Sequence, residues 1–143
     1  MSYLETKRNA LMNAVASGQL TNLLANTTWQ SGYFAYNGSI SGSGVPKEMY
    51  ESEYIDLDSS ETYVLLISTP NLSENWIGIG TYNNDGTWKS RLNTADTKTT
   101  SYRFNNQSKI RVSFRTYGNS YALLCTQTEY ENFITSNGIY VGD

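Results

Sequence analysis

The sequence contains no histidine, one cysteine and only two prolines. Without histidine the chain cannot build a Ser-His-Asp triad, a Cys-His pair or an imidazole-based zinc site. Cys125 cannot form a disulfide within the chain, and its place in the apolar run 121–125 indicates a core residue rather than a nucleophile. These absences disfavour the commonest hydrolytic and zinc chemistries.

Charge and long apolar runs are also scarce. Charged residues make up 16% of the chain, and the formal net charge is −3. A weakly acidic surface disfavours nucleic acid or an anionic membrane as the main partner. No stretch approaches the roughly 20 apolar residues of a membrane span. The first eight residues have no apolar segment behind their basic pair, so we expect synthesis in the cytoplasm without a signal peptide.

Short polar residues and tyrosine are abundant. Ser, Thr and Asn make up a third of the 143 residues, and 12 residues are tyrosine. This composition favours strands and turns over helices. The sequence predicts a mainly β protein, an antiparallel β-sandwich of jelly-roll-like type preceded by an N-terminal α-helix. The predicted strands are 28–36, 51–57, 61–68, 75–82, 86–92, 99–105, 108–115 and 120–128.

Two segments give the clearest strand signals. In 109–115, Ile110, Val112 and Phe114 alternate with polar residues, which predicts a strand with one face in the core. Segment 61–67 is apolar on both faces and predicts a central strand. Between strands, 58–60 predicts a turn and 83–86 predicts a hairpin turn, because Asp-Gly supplies the positive φ angles that tight hairpins need.

A single well-marked helix is predicted over residues 2–17. Ser2 and Glu5 have capping-box spacing, and Gly18 follows as a stop. The apolar face must pack either on the sandwich or on another copy or a partner. We assign its residues to anchoring or oligomerisation: Leu4, Leu11 and Val15.

The chain then divides into three parts. Residues 1–26 form the helical segment, 27–128 the β-sandwich domain and 129–143 a C-terminal tail of ambiguous structure. Within the tail, 129–133 has the pattern of a helical turn, and 139–141 that of a short strand.

Several aromatic and glycine-containing segments follow one another in a recognisable order: Trp29 with Gly32-Tyr33, then 52–55, then 76–82, then Asp85-Gly86-Thr87-Trp88, then 109–115. This order resembles a β-sandwich module of tail-tip and baseplate proteins from siphophages of Gram-positive bacteria. That module is similar to carbohydrate-binding and galactose-binding-like jelly rolls and to the shoulder domain of phage receptor-binding proteins. The resemblance covers about residues 27–126 and implies a virion or host-adhesion role.

The hairpin around Asp85 is the predicted ligand-contacting region. Sugar binding needs aromatic platforms together with polar groups that bond hydroxyls, and this region supplies both. The alternative is that its tryptophans pack in the core and its tip is an ordinary turn. The candidate ligand-binding residues are Trp88, Tyr82, Asn83, Asp85 and Arg91.

Two further sets of charged residues have functional and ordinary interpretations. A basic row of Lys109, Arg111 and Arg115, which Arg103 could join, suits phosphate-bearing wall polymers such as teichoic acid, or an acidic protein neighbour, or is a solvated sheet face. The carboxylates between 51 and 61 lack the arrangement of a glycosidase pair or a calcium loop. We therefore predict no catalytic residues, no metal and no cofactor.

Together these observations predict a non-enzymatic phage tail or baseplate-associated binding protein. Its partners are host cell-wall saccharide or neighbouring virion proteins, with homo-oligomerisation as a further possibility and no nucleic acid or membrane. The predicted location is the tail region of the virion. The alternatives are a purely structural virion adaptor without a ligand and, less favoured, a wall-polysaccharide hydrolase.

Overall fold

The computed structural model describes residues 3–26, 28–34, 37–41, 48–51, 54–68, 77–92, 101–115 and 121–137. These residues form eleven strands and two helices. In chain order the elements are α1 (Tyr3–Ala16), β1 (Trp29–Ser31), β2 (Tyr33–Phe34), β3 (Ile40–Ser41), β4 (Glu48–Glu51), β5 (Ile55–Asp56), β6 (Tyr63–Ser68), β7 (Ile77–Tyr82), β8 (Trp88–Leu92), β9 (Ser101–Phe104), β10 (Lys109–Arg115), β11 (Tyr121–Thr126) and α2 (Gln127–Asn137).

The strands form a large sheet, a small sheet and a two-stranded ribbon. The large sheet has the order β1-β4-β10-β7-β8, and β5 pairs with the beginning of β10 beside it. The small sheet is β11-β6-β9, and β2 pairs with β3 in the ribbon. Every strand pair in these sheets is antiparallel. From β6 onward the chain passes back and forth between the two sheets, and the predicted antiparallel sandwich preceded by a helix is confirmed.

Two apolar cores lie on opposite faces of the small sheet. The first core lies between the sheets and joins Leu65 and Leu124 to Ile79, Ile110 and Val112 of the large sheet. The second core lies between the small sheet and the helices, and its members are Leu11, Ala14, Leu20, Val64, Leu66, Leu123, Cys125, Tyr130 and Phe133. The middle strand β6 is therefore buried on both faces, which explains why residues 63–66 are all apolar and confirms the prediction of a central strand.

The N-terminal helix packs on its own chain. Leu11 is 1% exposed in the second core, and Val15 packs against that core. The sequence left two packing partners open for this helix, its own sandwich or another chain, and the structure shows the sandwich. Leu11 is therefore not a surface contact for another copy, and its assignment to oligomerisation is corrected. The side chain of Leu4 lies outside the described part. The helix ends as predicted, with Gly18 at φ 83° and the Gln19 N–H donating to the Ala14 carbonyl at 2.8 Å.

The C-terminal tail begins with a helix that belongs to the core. α2 starts at Gln127, directly after β11, and buries Tyr130 and Phe133 in the second core. Thr126 caps it, since its Oγ1 accepts the Glu129 N–H at 3.2 Å. The helix extends the predicted single turn to Asn137, and the predicted strand 139–141 lies outside the described residues.

Candidate functional site

The outward face of the large sheet, opposite the first core, carries a cluster of aromatic and basic side chains. On β10, Ile110 and Val112 enter the core, so Lys109 and Arg111 point to the other side of the sheet. Directly paired residues share a face, and Gly80 pairs with Arg111 on one side and with Arg91 on the other. The pairing therefore places Arg111, Gly80 and Arg91 in one row across three strands.

Tyr54 links this basic row to the aromatic residues of the β7–β8 hairpin. Its ring centroid lies 4.8 Å from that of Tyr82 with an interplanar angle of 77°, and Tyr82 lies 5.4 Å from Trp88 at 82°. Both are edge-to-face contacts, the arrangement that aromatic quadrupoles favour. We call the set Tyr54, Tyr82, Trp88, Arg91, Lys109 and Arg111 the aromatic–basic face.

Two cations lie close to the Tyr54 ring. The Lys109 Nζ is 5.4 Å and the Arg111 Cζ 5.5 Å from its centroid, within the range of cation–π attraction. The Tyr54 hydroxyl donates to the Gly86 carbonyl at 3.1 Å, so the tyrosine also joins β5 to the hairpin turn. Tyr54 nevertheless remains 45% exposed, which leaves part of its ring available to a ligand.

Tyr54 was not among the predicted site residues, although a local signal existed. Ile55 and Leu57 pack against the first core. A period of two then places Tyr54 and Asp56 on the opposite side. That pattern was sufficient to identify an outward-facing tyrosine, but it could not show that β5 pairs with the beginning of β10.

Trp88 is largely enclosed rather than open. A Cβ on Gly38, in the turn of the β2–β3 ribbon, would lie 2.4 Å from the indole Cδ2, so the Gly38 backbone lies against the Trp88 ring. Ser113, which points outward from β10, is fully buried, and β2 lies close to β4, β7 and β10. The ribbon therefore covers part of the outward face, and Tyr54 is the more open aromatic surface.

The polar residues at the hairpin tip shape the turn. The Asp85 Oδ1 accepts hydrogen bonds from the Thr87 N–H at 3.0 Å and from the Thr87 hydroxyl at 2.7 Å. The hydroxyl bond, followed by the N–H bond, lowers the pKa of Asp85 below its ordinary value. The Asn83 carboxamide donates to the Thr87 Oγ1 at 2.9 Å. Asn83 and Asp85 therefore serve local turn geometry, and the structure does not show them directed at the Tyr54 region.

Two residues of the predicted basic row, Lys109 and Arg103, have surroundings that the sequence did not predict. Lys109 forms an ion pair with Asp56 at 2.5 Å, in which the Asp56 side chain is 80% exposed. Arg103 does not join the basic row: it pairs with Val64 of the second core, and its Cζ lies 5.9 Å from the Tyr130 ring of α2. Arg103 is thus on the small sheet, on the helix side. The Arg115 side chain lies outside the described part.

Asp58, in the acidic segment 51–61, does not have the surroundings of a general acid, and the side chains of Glu51 and Glu53 lie outside the described part. Asp58 accepts from the Ser60 hydroxyl and N–H, which lower its pKa, whereas a general acid needs a raised pKa. In the described part of the chain, no group of three or more His, Cys, Asp or Glu residues is placed to hold a metal ion. A shallow polar depression of about 270 Å³ is lined by Ser60, Glu61, Thr62, Gln127, Thr128 and Glu131.

Within the described ranges, neither helix has the length and apolar content that crossing a membrane would require. Comparison of the chain with protein-family models and with curated proteins found no match.

Proposed function

We propose that this chain is a non-enzymatic binding protein associated with a phage tail or baseplate, and that it contacts host cell-wall saccharide or a neighbouring virion protein. The observation that supports a binding role is the aromatic–basic face, in which Tyr54 is 45% exposed beside Lys109 and Arg111. Aromatic rings and hydrogen-bonding cations are the groups with which proteins contact sugars. The resemblance of 27–126 to tail-tip modules supports the phage assignment.

The face lies on a rigid support. β10 is paired on both edges, with β4 and β5 on one side and β7 on the other, and its inward residues Ile110 and Val112 are fully buried. Side chains on such a strand keep their spacing without a ligand, which lowers the entropic cost of binding. Several copies on one particle would strengthen weak contacts, since each later contact becomes effectively intramolecular.

The test uses purified protein and Gram-positive cell walls. The expected result is that labelled protein sediments with walls, or captures a tail protein from particles, and releases no reducing ends from the wall polysaccharide. Tyr54→Ala should weaken the interaction, whereas Met12→Ala, a change at the 45% exposed Met12 of α1, should not. Binding to neither walls nor tail proteins would contradict the proposal, and release of reducing ends would favour the hydrolase.

The structural adaptor remains the second candidate, because an exposed basic row equally suits an acidic surface on a neighbouring protein. Incorporation into particles by a protein that ignores cell walls would support it. Mass spectrometry of purified particles measures that incorporation directly.

A further inference from the structure

We infer that Asn37 is a site of spontaneous chemical modification, at which the side-chain amide is lost and the residue becomes a mixture of aspartate and isoaspartate. The site lies in the turn of the β2–β3 ribbon, and the inference does not depend on the proposed function. Asn37 is exposed and is followed by Gly38, which has no side chain to hinder its backbone nitrogen as a nucleophile. Within the described residues, this N–H donates to no backbone carbonyl.

The reaction joins the Gly38 nitrogen to the side-chain carbonyl carbon of Asn37. The new C–N bond closes a five-membered succinimide ring, the bond to Nδ2 breaks, and ammonia leaves with the proton of the Gly38 N–H. Water then opens the ring at either of its carbonyls, which gives aspartate or isoaspartate. Because the reacting groups belong to adjacent residues, the ring closure is intramolecular and needs no other reactant than water.

The turn places two hydrogen-bond donors on the oxygen where negative charge develops. The Asn37 Oδ1 accepts from the Ser39 N–H at 3.1 Å and from the Ser39 hydroxyl at 2.7 Å. Attack on the side-chain carbonyl carbon converts this oxygen to an oxyanion, and donors that are already in place stabilise the new charge without reorganisation. The two bonds that hold the turn therefore also activate its amide.

The turn at Asp85 has the same hydrogen bonds but carries a carboxylate in place of the amide. Its Oδ1 accepts from the Thr87 hydroxyl and N–H, and a glycine follows the aspartate here too. The hydroxyl bond, followed by the N–H bond, lowers the pKa of Asp85, so that the group is ionised at neutral pH. A negative carboxylate resists attack by a nitrogen. We therefore expect conversion at Asn37 and not at Asp85.

Isoaspartate disturbs the ribbon where it lies on the large sheet. In isoaspartate the main chain runs through the former side chain, so one extra carbon atom enters the backbone directly before Gly38. Gly38 lies against the Trp88 ring, and a Cβ on it would be 2.4 Å from the indole Cδ2. A contact this close has no free space to absorb the longer turn. The modification therefore shifts Gly38 and changes the environment of Trp88.

The experiment incubates the purified protein at neutral and mildly alkaline pH and locates the change by peptide mapping with mass spectrometry. A synthetic peptide of residues 33–41 gives the rate without the fold, and the map separates Asn37 from Asn137, the other asparagine that precedes a glycine. We expect Asn37 to convert in the protein at least as fast as in the peptide, while Asp85 does not isomerise. Tryptophan emission should shift in step with isoaspartate and stay constant in Asn37→Ser, which cannot close the ring.

Ser39→Ala tests the donors directly. It removes the hydroxyl and keeps the N–H, and it should slow conversion about three- to tenfold, because one of the two groups that stabilise the oxyanion is lost. Ser60→Ala is the matched control, since it removes the equivalent hydroxyl from the turn at Asp58 and should leave the rate at Asn37 unchanged. Thermal unfolding should confirm that each variant is folded.

The outcomes that contradict the inference are distinct. Persistence of Asn37 in the protein while the peptide converts would overturn it, because the turn would then protect the amide. Equal rates in the parent protein and in Ser39→Ala would overturn the activation assigned to the hydroxyl. Unchanged tryptophan emission after complete conversion would overturn the displacement of Gly38 from Trp88.

Discussion

Gly38 and Trp88 are packed so closely that a methyl group on Gly38 would lie 2.4 Å from the indole Cδ2. Gly38 also has a φ of 89°, which residues with a side chain rarely adopt. The turn is held by Asn37, whose Oδ1 accepts from the Ser39 N–H at 3.1 Å and the Ser39 hydroxyl at 2.7 Å. The glycine therefore allows the ribbon to lie directly on the outward face of the large sheet.

Gly38→Ala should destabilise the protein through both backbone strain and displacement of Trp88. The strain costs about 1–2 kcal/mol, and the forced contact about 1–3 kcal/mol more. Gly18→Ala is the control, because Gly18 has a similar φ of 83° but open space around its Cβ position. Urea unfolding should show the larger loss at Gly38, together with altered tryptophan fluorescence. Equal losses in the two variants would show that Trp88 moves at no cost.

Asn22 holds the segment after α1 to the open edge of β11. Its Oδ1 accepts from the N–H groups of Leu24 and Leu124 at 3.0 and 3.1 Å, and its Nδ2 donates to the Ala122 carbonyl at 3.1 Å. The Leu23 N–H adds a bond to the Leu124 carbonyl at 2.9 Å. The segment thereby covers a strand edge that would otherwise be open to pairing with another chain.

Asn22→Ala should lower the free energy of unfolding by about 1–3 kcal/mol, because it leaves backbone groups at a half-buried edge without their side-chain partner. Asn22→Asp keeps the acceptor and loses the donor, so its effect should be smaller than that of Ala. Asn132→Ala, at an exposed position of α2, serves as the control and should change little. Chemical denaturation measures all three variants. An Asn22→Ala variant as stable as the Asn132→Ala control would show that Asn22 does not stabilise the contact between this segment and β11.

Alkaline pH should destabilise the fold through Cys125. Burial, and secondarily the charge of Glu129, raises the pKa of the Cys125 thiol from 9.0 to about 12. The folded state then holds the proton more tightly than the unfolded state does. This contribution to stability is complete below pH 9 and is lost as the pH rises toward about 12.

The expected loss from this thiol is about 1.4 kcal/mol at one pH unit above its ordinary pKa. Urea midpoints measured at increasing pH should fall less steeply in Cys125→Ala than in the parent protein. Burial also raises the pKa of Tyr121. This tyrosine is present in both proteins and accounts for a shared part of the fall in the urea midpoint. Identical slopes would show that Cys125 does not titrate on unfolding in this range.

The local sequence patterns predicted where the strands and helices lie better than which segments these elements contact. The alternation at Ile110 and Val112 and the two-sided apolar run around Leu65 correspond to buried strand positions in the structure. α2 could have been found as well, since Thr126 and Glu129 have the same capping-box spacing that identified α1. Instead of reaching back to its own helix start, Glu129 accepts a bond from the Thr21 N–H, a partner that local spacing does not reveal.

The candidate site depends on pairings between distant segments, and this is why only part of it was predictable. Tyr54 meets Tyr82 and Arg111 because β5 and β7 pair with opposite edges of β10. Such registers are set by packing over the whole sheet rather than by local sequence. For the same reason the sequence could not show that Gly38 covers Trp88 or that Arg103 lies on the other sheet.

Substitutions at Tyr54 should separate its ring from its hydroxyl. Tyr54→Phe removes the bond to the Gly86 carbonyl but keeps the ring beside Lys109 and Arg111, so it should retain most wall binding. The lost bond is exposed, and its removal should cost about 0.5–1.5 kcal/mol of stability at most.

Tyr54→Leu keeps apolar volume and removes the π-system that holds the two cations in place. Its binding to Gram-positive cell walls should therefore fall well below that of Tyr54→Phe, although both lack the hydroxyl. The comparison is made by wall sedimentation after equal thermal stability has been verified. If Tyr54→Leu and Tyr54→Phe bound equally well, the aromatic ring would contribute neither a sugar contact nor the positioning of Lys109 and Arg111. The basic side chains alone would then account for the interaction.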